Sequence, residues 1–244
     1  MKNVIGLVVV TWMLMPVVAQ ALDKNAVKAK GNALVGQVTQ INDKVSKKTD
    51  EASEKVKKVK NTEKTMKVDP ALSAVNWKAT KVTGEHMGKV SVKEGEFNIK
   101  ADMSVLNGTI TMDMNSIICE DLKDKDYNKK LVGHLKSDEF FDVSKFPTAT
   151  LKINKMVLGH TFAEGSPNAD VEGKITIKGV TQSVKFKANY LPNPKNGTFE
   201  VSGNFDLDRT DFGIKYGSGK FFQNLGDKMI HDKFNVTFKV IAKK

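Results

Sequence analysis

The sequence of 244 residues predicts a mainly β protein, in which about eight antiparallel strands form a closed barrel or a sandwich, preceded by an N-terminal helical arm. Two observations predict the strands. From residue 68 onward, apolar and polar residues alternate with period two, and turn-forming residues separate the alternating segments. A third observation sets the arm apart, because residues 22–67 contain no Phe, Trp, Tyr or Pro.

The first 21 residues have the layout of a secretory signal peptide. Lys2 precedes an apolar run from Val4 to Met15, and Ala19 and Ala21 supply the small residues that signal peptidase requires. The run is shorter than a stable membrane-spanning helix. We therefore expect cleavage after Ala21 and export to the periplasm, with an uncleaved signal anchor as the alternative.

Residues 22–67 predict a lysine-rich helical arm. This segment has 12 Lys and 6 acidic residues, so it carries +6 of the net charge of +11. Apolar residues recur at heptad-like spacing, at Leu34, Val38, Ile41, Val45 and Ala52. This thin stripe is compatible with a weak coiled coil that forms a homodimer, a helix on its own barrel, a peripheral contact with an anionic membrane surface, or a solvated arm.

The composition excludes several classes of function. Arg209 is the only arginine among 39 basic residues, whereas nucleic-acid readers depend on arginine, so we expect no nucleic-acid partner. The single cysteine, Cys119, excludes an intrachain disulfide framework and a multi-cysteine metal site, and we expect a buried thiol. No catalytic residues stand at a diagnostic spacing. We expect no enzyme activity, no metal and no cofactor.

Alternate apolar residues define seven strand segments. They are Val75/Trp77/Ala79, Ile110/Met112/Met114, Ala149/Leu151/Ile153, Val171/Ile175/Ile177, Val184/Phe186/Ala188/Tyr190, Phe199/Val201/Phe205/Leu207 and Phe234/Val236/Phe238/Val240. Each segment has one polar face, as antiparallel sheets commonly do. Asn107-Gly108 and Asn196-Gly197 predict tight hairpins, and Lys178-Gly179 predicts another short connection.

Two stretches interrupt the alternation. Residues 120–141 are charged and helix-prone, and they end in Phe140-Phe141 with Phe146 shortly after. Residues 216–230 predict a loop with a short helix. The aromatic residues either plug or rim a cavity or cap a solid core, because an eight-stranded barrel can be filled or can hold one ligand.

Two polar residues are candidates for a ligand contact. His86 lies at a predicted strand start, where we expect a hydrogen-bonding residue at one end of the barrel. Arg209 lies between Asp208 and Asp211. It is either a structural brace to a carboxylate or a clamp on the anionic head group of a ligand.

Three longer motifs occur in order between Val68 and Ala242. They are HLKSDEFFDVSKFPT at His134–Thr148, VEGKITIKGVT at Val171–Thr181 and DRTDFGIKYGS at Asp208–Ser218. Together they resemble the YceI-like family. One departure is Leu72, which stands where many members carry a histidine in an Asp-x-x-His-Ser motif.

This resemblance implies a lipocalin-like, eight-stranded antiparallel barrel with an elongated internal pocket. It also implies export and a polyisoprenoid ligand, such as an isoprenoid quinone or a polyprenyl phosphate, or a fatty-acid derivative. The resulting hypothesis divides the chain into a signal peptide (1–21), a helical arm (22–67) and a lipid-binding barrel (68–244). The barrel would transport, store or sequester an isoprenoid or similar lipid without catalysis. The alternative is a scaffold protein in which the arm mediates self-association or docks on a membrane surface.

The candidate ligand-binding residues come from the predicted inner face and from the irregular segments. They are Trp77, His86, Met112, Met114, Phe140, Phe141, Phe146, Phe186, Phe205, Arg209 and Phe238. The long, soft methionines can adapt to a branched chain, and the aromatic rings supply wide apolar walls. Phe140, Phe141 and Phe146 are expected to close one end.

Overall fold

The computed structural model describes residues 36, 38–50, 63–159 and 166–244. The predicted signal peptide and parts of the arm lie outside these residues. The chain divides into two compact units, Met1–Lys57 and Lys58–Lys244. Within the described ranges, none of the helices combines the length and the apolar character that a bilayer crossing requires.

The first unit contains helix α1, which the structure describes at residue 36 and residues 38–50. The predicted helix in this lysine-rich, proline-free segment is confirmed. Val38, Ile41 and Val45 of the predicted stripe are 52%, 59% and 58% exposed. Leu34 and Ala52, the two ends of the stripe, lie outside the described residues.

The second unit is built from nine described strands, one α-helix and three short 3₁₀ turns. The strands are β1 (Glu63–Val68), β2 (Ala74–Lys81), β3 (Gly84–Lys100), β4 (Val105–Cys119), β5 (Thr148–Leu158), β6 (Ala169–Ile177), β7 (Val180–Asn193), β8 (Thr198–Asp208) and β9 (Ile230–Lys243). Helix α2 (Lys125–Lys136) lies between β4 and β5, and the 3₁₀ turns are Pro70–Leu72, Arg209–Phe212 and Gly226–Lys228.

The strands form a closed antiparallel barrel. Each strand from β3 to β9 pairs with the next, and β2 pairs with both β3 and β9 to complete the ring. Strand β1 also pairs with β3 and β9, so β1 and β2 occupy one position that the Pro70–Leu72 turn interrupts. The barrel therefore has eight positions, and the predicted eight-stranded barrel is confirmed.

Among the residues that the structure describes, the barrel begins at Glu63, five residues before the predicted domain boundary. Residues 63–67 belong to β1, although the sequence pattern placed them in the arm. These residues form a strand because Met66 and Val68 face the barrel interior. Both are buried, whereas Lys67 between them and residues 63–65 before them are exposed. Met66 lies opposite Phe97 in the β1–β3 ladder.

The turn predictions had different outcomes. Lys178-Gly179 joins β6 to β7 with φ of 50° and 76°, as the two-residue hairpin requires. Gly197, with φ 68°, lies in the β7–β8 turn. The prediction for Asn107-Gly108 is wrong, because both residues lie within β4 and pair with β3. Gly108 is needed there for space, since a Cβ would lie 2.4 Å from the Phe97 ring.

The two ends of the barrel differ. The β3–β4 and β7–β8 connections, the end of β5 and the start of β6 lie at one end, here called the closed end, where Phe97, Phe199 and Tyr190 fill the interior. The Phe97 and Phe199 rings meet edge to face at 5.1 Å. The Tyr190 hydroxyl donates to the Met103 carbonyl. The other end, here called the open end, carries α2 and residues 209–229.

Candidate functional site

An apolar cavity of about 120 Å³ lies in the barrel at the open end. All strands of the ring except β1 and β7 contribute to its lining, because the inward-facing residue of each alternating pair points at it. The strand residues are Val75, Trp77, Ala79, Val90, Met112, Met114, Ile117, Ala149, Ile175, Ile177, Leu207, Ile230, His231, Phe234 and Val236. Such a dry, apolar lining is typical of sites for hydrophobic ligands.

Helix α2 and the turn after it cover the cavity. The Asp124 carboxylate caps the helix by accepting from the amides of Asp126 and Tyr127, and the helix ends at Lys136 before Ser137. No side chain of α2 is fully buried. Leu135 from its last turn nevertheless lines the cavity. This cover is held by few buried groups, so it is the part of the barrel unit best suited to open.

Three rings join the cover to the loop that precedes β9. The His134 ring lies 4.7 Å from Phe140 and 4.5 Å from Tyr216, edge to face in both cases. Phe140 and Tyr216 are 5.5 Å apart. His134 Nε2 also lies 2.7 Å from Glu139 Oε2. Phe140 lines the cavity, so this cluster forms one side of its mouth.

Arg209 fastens the loop at the open end. Its Nε donates to the carbonyl of His231 at 3.2 Å and Nη2 donates to that of Ile230 at 3.0 Å. Nη1 donates to the carbonyls of Ile214 and Tyr216 at 3.1 and 2.7 Å. These bonds tie the segment after β8 to the start of β9. The residue lines the cavity, but these donors are engaged within the protein.

The carboxylate partner of Arg209 is Asp232 rather than a residue adjacent in sequence. Asp232 Oδ1 lies 3.3 Å from Nη2 as an ion pair without hydrogen-bond geometry, since this buried oxygen has no hydrogen-bond partner among the described residues. Burial lowers the pKa of Arg209, and Asp232 and Asp208 oppose that shift. Of the two alternatives for Arg209, the structure supports the brace.

His86 lies at the start of β3, in contact with Asp121. His86 Nδ1 and Asp121 Oδ2 are 2.9 Å apart, and the Met87 amide donates to Asp121 Oδ1 at 2.7 Å. The Cys119 thiol donates to the same Oδ1 at 3.2 Å. Burial alone would raise the pKa of Asp121, but the hydrogen bonds from Met87, His86 and Cys119 hold it at about 2. His86 is thus a hydrogen-bonding residue at one barrel end, as expected.

The same three side chains are not arranged as a nucleophile with its base. Asp121 lies between the thiol and the imidazole, so His86 is not placed to remove the Cys119 proton. A catalytic cysteine needs the base on the thiol and the carboxylate behind the base. Burial also raises the pKa of Cys119, which keeps the thiol protonated.

Six of the eleven predicted site residues line the cavity. They are Trp77, Met112, Met114, Phe140, Phe141 and Arg209. The Trp77 indole is fixed at the rim, where Nε1 donates to the Ile118 carbonyl at 3.2 Å. His86 instead lines a smaller neighbouring cavity of about 80 Å³, which also contacts Trp77 and Phe140.

The other predicted aromatic residues lie outside the lining. Phe186 and Phe205 stack at 4.5 Å, and Phe238 meets them at 5.6 and 6.0 Å. Phe205 is paired with Val236 and Phe238 with Val75, and both valines line the cavity. The three rings therefore pack next to the cavity, toward the closed end. Phe146 packs near Gly179, in the β6–β7 turn.

Sequence reasoning missed several residues of the mouth. Leu135, Ile214 and Ile230 line the cavity from the last turn of α2, the segment after β8 and the first residue of β9, where no alternation in the sequence identifies the inward side. His231 also lines the cavity, and its Nδ1 lies 2.7 Å from Thr80 Oγ1. Asp121 was missed because it is 35 residues from His86 in sequence.

Comparisons with known proteins support the barrel fold. The chain resembles solved structures of Burkholderia cenocepacia BcnA (TM-score 0.51, 22% identity, 72% of this chain and 99% of that one) and of a polyisoprenoid binding domain from Saccharophagus degradans (TM-score 0.52, 14% identity, 73% and 97%). At these identities the likeness shows the fold alone.

Curated relatives match a shorter stretch. The UPF0312 protein of Pseudomonas syringae pv. tomato is 33% identical over 115 residues, which are 46% of this chain and 53% of the relative. A UPF0312 protein of Pseudomonas putida is 36% identical over 96 residues, 38% of this chain and 47% of the relative. The chain thus spans about half the length of these relatives.

The model of the YceI-like domain matches residues 66–242, nearly the whole barrel. With a closed eight-position barrel and a match of that extent, the chain belongs to the YceI-like family.

Proposed function

We propose that this protein is a non-catalytic lipid-binding protein that holds the hydrocarbon chain of an isoprenoid or similar amphiphile inside the barrel. The observation that carries this proposal is the apolar cavity inside the barrel at its open end. Each CH₂ group buried there contributes about 0.8 kcal/mol. Its two polar lining residues, Arg209 and His231, already bond within the protein.

The size of the cavity determines how such a ligand would be held. A volume of about 120 Å³ is below the roughly 300 Å³ at which small-molecule sites begin, so a long chain requires widening. Met112 and Met114 can change rotamer at low cost. Leu135 and Phe141 can move with the cover. We infer that binding displaces α2 and the turn after it while the strands stay in place.

The polarity of the site sets the orientation of the ligand. The closed end is filled by buried rings, so the apolar tail would enter first and the polar head group would stay at the mouth. The description of the Saccharophagus degradans neighbour as a polyisoprenoid binding domain supports an isoprenoid as the ligand class. Transport, storage and sequestration all require this same bound state.

The proposed location is the periplasm. Residues 1–21 have the composition of a signal peptide, and an exported carrier of a water-insoluble chain needs an enclosed apolar site. The mass of the protein recovered from the periplasm tests this. A mature protein that begins at Leu22 is expected, and full-length protein retained in the membrane fraction would contradict it.

Native mass spectrometry followed by solvent extraction tests the lipid proposal. The protein purified with its own signal sequence is expected to carry a discrete added mass that extracts as a prenyl lipid or quinone. Met112→Glu, which places a carboxylate in the lining, should abolish retention. A protein without added mass that takes up neither polyprenyl phosphate nor quinone from micelles would overturn the proposal.

A cavity-filling variant separates loss of binding from loss of folding. Ala149→Leu adds three carbon atoms at a buried lining position and should reduce lipid retention while the thermal unfolding midpoint changes little. Ala71→Leu makes the same change at an exposed position outside the cavity and should retain lipid as the wild type does. If both variants retained lipid equally well, the cavity would not be the binding site.

A peripheral membrane contact is proposed for the loop at the open end. Phe221 and Phe222 are both about half exposed there, and Lys215 Nζ lies 4.8 Å from the Phe221 ring centre. Exposed rings beside lysines suit an anionic bilayer surface. Phe221→Ser with Phe222→Ser should reduce flotation with phosphatidylglycerol vesicles, whereas flotation unchanged in the double variant would exclude these rings.

A second candidate function is self-association through α1. The exposure of Val38, Ile41 and Val45 favours it, because an exposed apolar stripe at this spacing is typical of a coiled-coil seam. Sedimentation of the full chain should then show a dimer, and Ile41→Glu should give a monomer. A wild-type monomer at high concentration would eliminate this candidate.

A further inference from the structure

We propose that His86, Cys119 and Asp121 bind a transition-metal ion of the zinc type beside the mouth of the barrel. The sequence predicts no metal site, because these residues have no ligand spacing along the chain. The fold brings one imidazole nitrogen, one sulfur and one carboxylate oxygen within 4.8 Å of one another. This inference does not depend on what the barrel cavity holds.

The strand register places the three groups. Cys119 is the last residue of β4 and lies opposite Gly88 in β3, two residues after His86. The strands approach so closely there that a Cβ on Gly88 would lie 1.8 Å from the Ile118 carbonyl oxygen. The Glu120 amide then donates to the Met87 carbonyl at 2.8 Å, which continues the pairing up to Asp121. The ligand atoms are therefore positioned by the backbone before any ion binds.

The distances suit a tetrahedral ion with a small adjustment. Zn–N of about 2.0 Å and Zn–S of about 2.3 Å place ligand atoms roughly 3.3 to 3.8 Å apart. His86 Nδ1 is 2.9 Å from Asp121 Oδ2, and Cys119 Sγ is 3.2 Å from Asp121 Oδ1. The three ligand atoms all lie within 4.8 Å of one another, so rotation of the side chains can bring them to these separations around one ion.

The donor set selects the metal. A thiolate and an imidazole favour zinc and its neighbours over calcium and magnesium, which prefer oxygen ligands. The Met87 amide, 2.7 Å from Asp121 Oδ1, would remain as the outer contact that orients the carboxylate. On binding, the Cys119 thiol releases its proton to solvent and the sulfur bonds to the ion. The His86 imidazole binds the ion through Nδ1 as a neutral ring, so its single N–H proton is then on Nε2.

Three protein ligands leave one coordination position open. Sites of this composition hold water or an exchangeable ligand in the fourth position, unlike closed structural zinc sites. His86 is 30% and Asp121 26% exposed at the side chain, so an ion can reach the site from solvent. Cys119 is buried, which protects the thiolate ligand from oxidants.

Metal titration of the untagged full chain, stripped with chelator, tests the proposal. Calorimetry with Zn²⁺ and native mass spectrometry should give one ion per chain, and Co²⁺ should give the near-ultraviolet absorption of a thiolate-to-cobalt bond. His86→Gln and Cys119→Ser should each weaken Zn²⁺ binding at least tenfold. His134→Gln is the matched control, since His134 also lies against a carboxylate, at 2.7 Å from Glu139, and should leave Zn²⁺ binding unchanged.

The outcomes are decisive in each direction. The proposal is overturned if the wild type does not bind Zn²⁺, or if it binds Co²⁺ without the sulfur-to-cobalt absorption band. The three side chains would then only form hydrogen bonds with one another. Equal binding by the His86→Gln and wild-type proteins also overturns it. If Cys119→Ser fails to fold, the cobalt spectrum of the wild type and the pair of histidine variants still decide.

Discussion

The ring of Phe97 lies against the backbone of Gly108, across the β3–β4 ladder near the closed end. The two residues are direct partners, and a Cβ on Gly108 would lie 2.4 and 2.8 Å from two carbons of that ring. Phe97 is fully buried and also contacts Phe199 edge to face. The absent side chain of one strand thus provides the space that the ring of the other occupies.

Gly108→Ala is therefore expected to destabilise the barrel by about 1–3 kcal/mol, because the Phe97 ring must leave its position in a closely packed core. Urea unfolding followed by tryptophan fluorescence measures the change. Gly133→Ala is the matched control. Gly133 is exposed on α2, and apart from its neighbours in the chain and the helix backbone no atom lies within 4 Å of its Cβ position, so alanine should stabilise by about 0.5–1 kcal/mol. Equal effects in both variants would contradict the close contact.

Tyr190 should make stability fall at high pH. Burial, together with the charge of Asp102, raises its pKa from 10.0 to about 12. Tyr190 therefore makes its full contribution to the free energy of unfolding below pH 10. This contribution is lost as the pH rises from 10 through 12, because the tyrosine ionises at a lower pH in the unfolded chain than in the folded protein. A difference of about two pKa units corresponds to at most about 2.7 kcal/mol.

The Tyr190→Phe variant tests this pH dependence. This variant lacks the hydrogen bond to Met103 at all pH values. Its free energy of unfolding in urea should decline less steeply between pH 9 and 11.5 than that of the wild type. Tyr127→Phe removes an exposed tyrosine and should decline as the wild type does. Parallel declines for all three proteins would show that Tyr190 does not titrate differently on folding.

Arg209→Lys should destabilise the open end by about 2–4 kcal/mol. A lysine cannot serve four carbonyls that now receive guanidinium hydrogen bonds, and Asp232 would keep a buried charge with a poorer partner. Thermal unfolding measures the loss, and limited proteolysis should show earlier cleavage within residues 213–229. Lys215→Gln removes an exposed charge on the same loop and should change stability by less than about 0.5 kcal/mol.

Hydrogen exchange should identify α2 as the first element of the barrel unit to open. No side chain of this helix is fully buried, whereas β8 and β9 contribute Phe199, Val201 and Val240 to the core. We expect α2 amides to exchange faster than those of β8 and β9, and to slow when lipid is bound. If α2 exchanged as slowly as the central strands, the cover would be rigid and the cavity would have to open elsewhere.

The regular strands could be predicted because alternation reports which side of a strand faces inward. Strand β3 produced no clear series, since its pairing with β4 shifts register three times. The prediction at Asn107-Gly108 failed because a strand glycine that makes room for Phe97 has the same local sequence as a hairpin glycine. Three-dimensional contacts, rather than local sequence, distinguish the two uses.

The candidate site was predictable only in part. Trp77, Met112 and Met114 share their inward alternation with Phe186, Phe205 and Phe238, yet only the first three line the cavity. Whether an inward residue borders a space depends on the sizes of the side chains opposite it, which alternation does not report. The His86–Asp121 contact joins residues far apart in sequence, so it required the strand register.

The filled closed end makes the barrel a cup rather than a tube. A ligand of the cavity must leave by the route through which it entered, so it cannot enter at one end of the barrel and leave at the other. Loading and release are then opposite directions of one motion at the mouth, and the last part to enter is the first to emerge. A donor and an acceptor would meet the same face of the protein in turn, and they would compete for it.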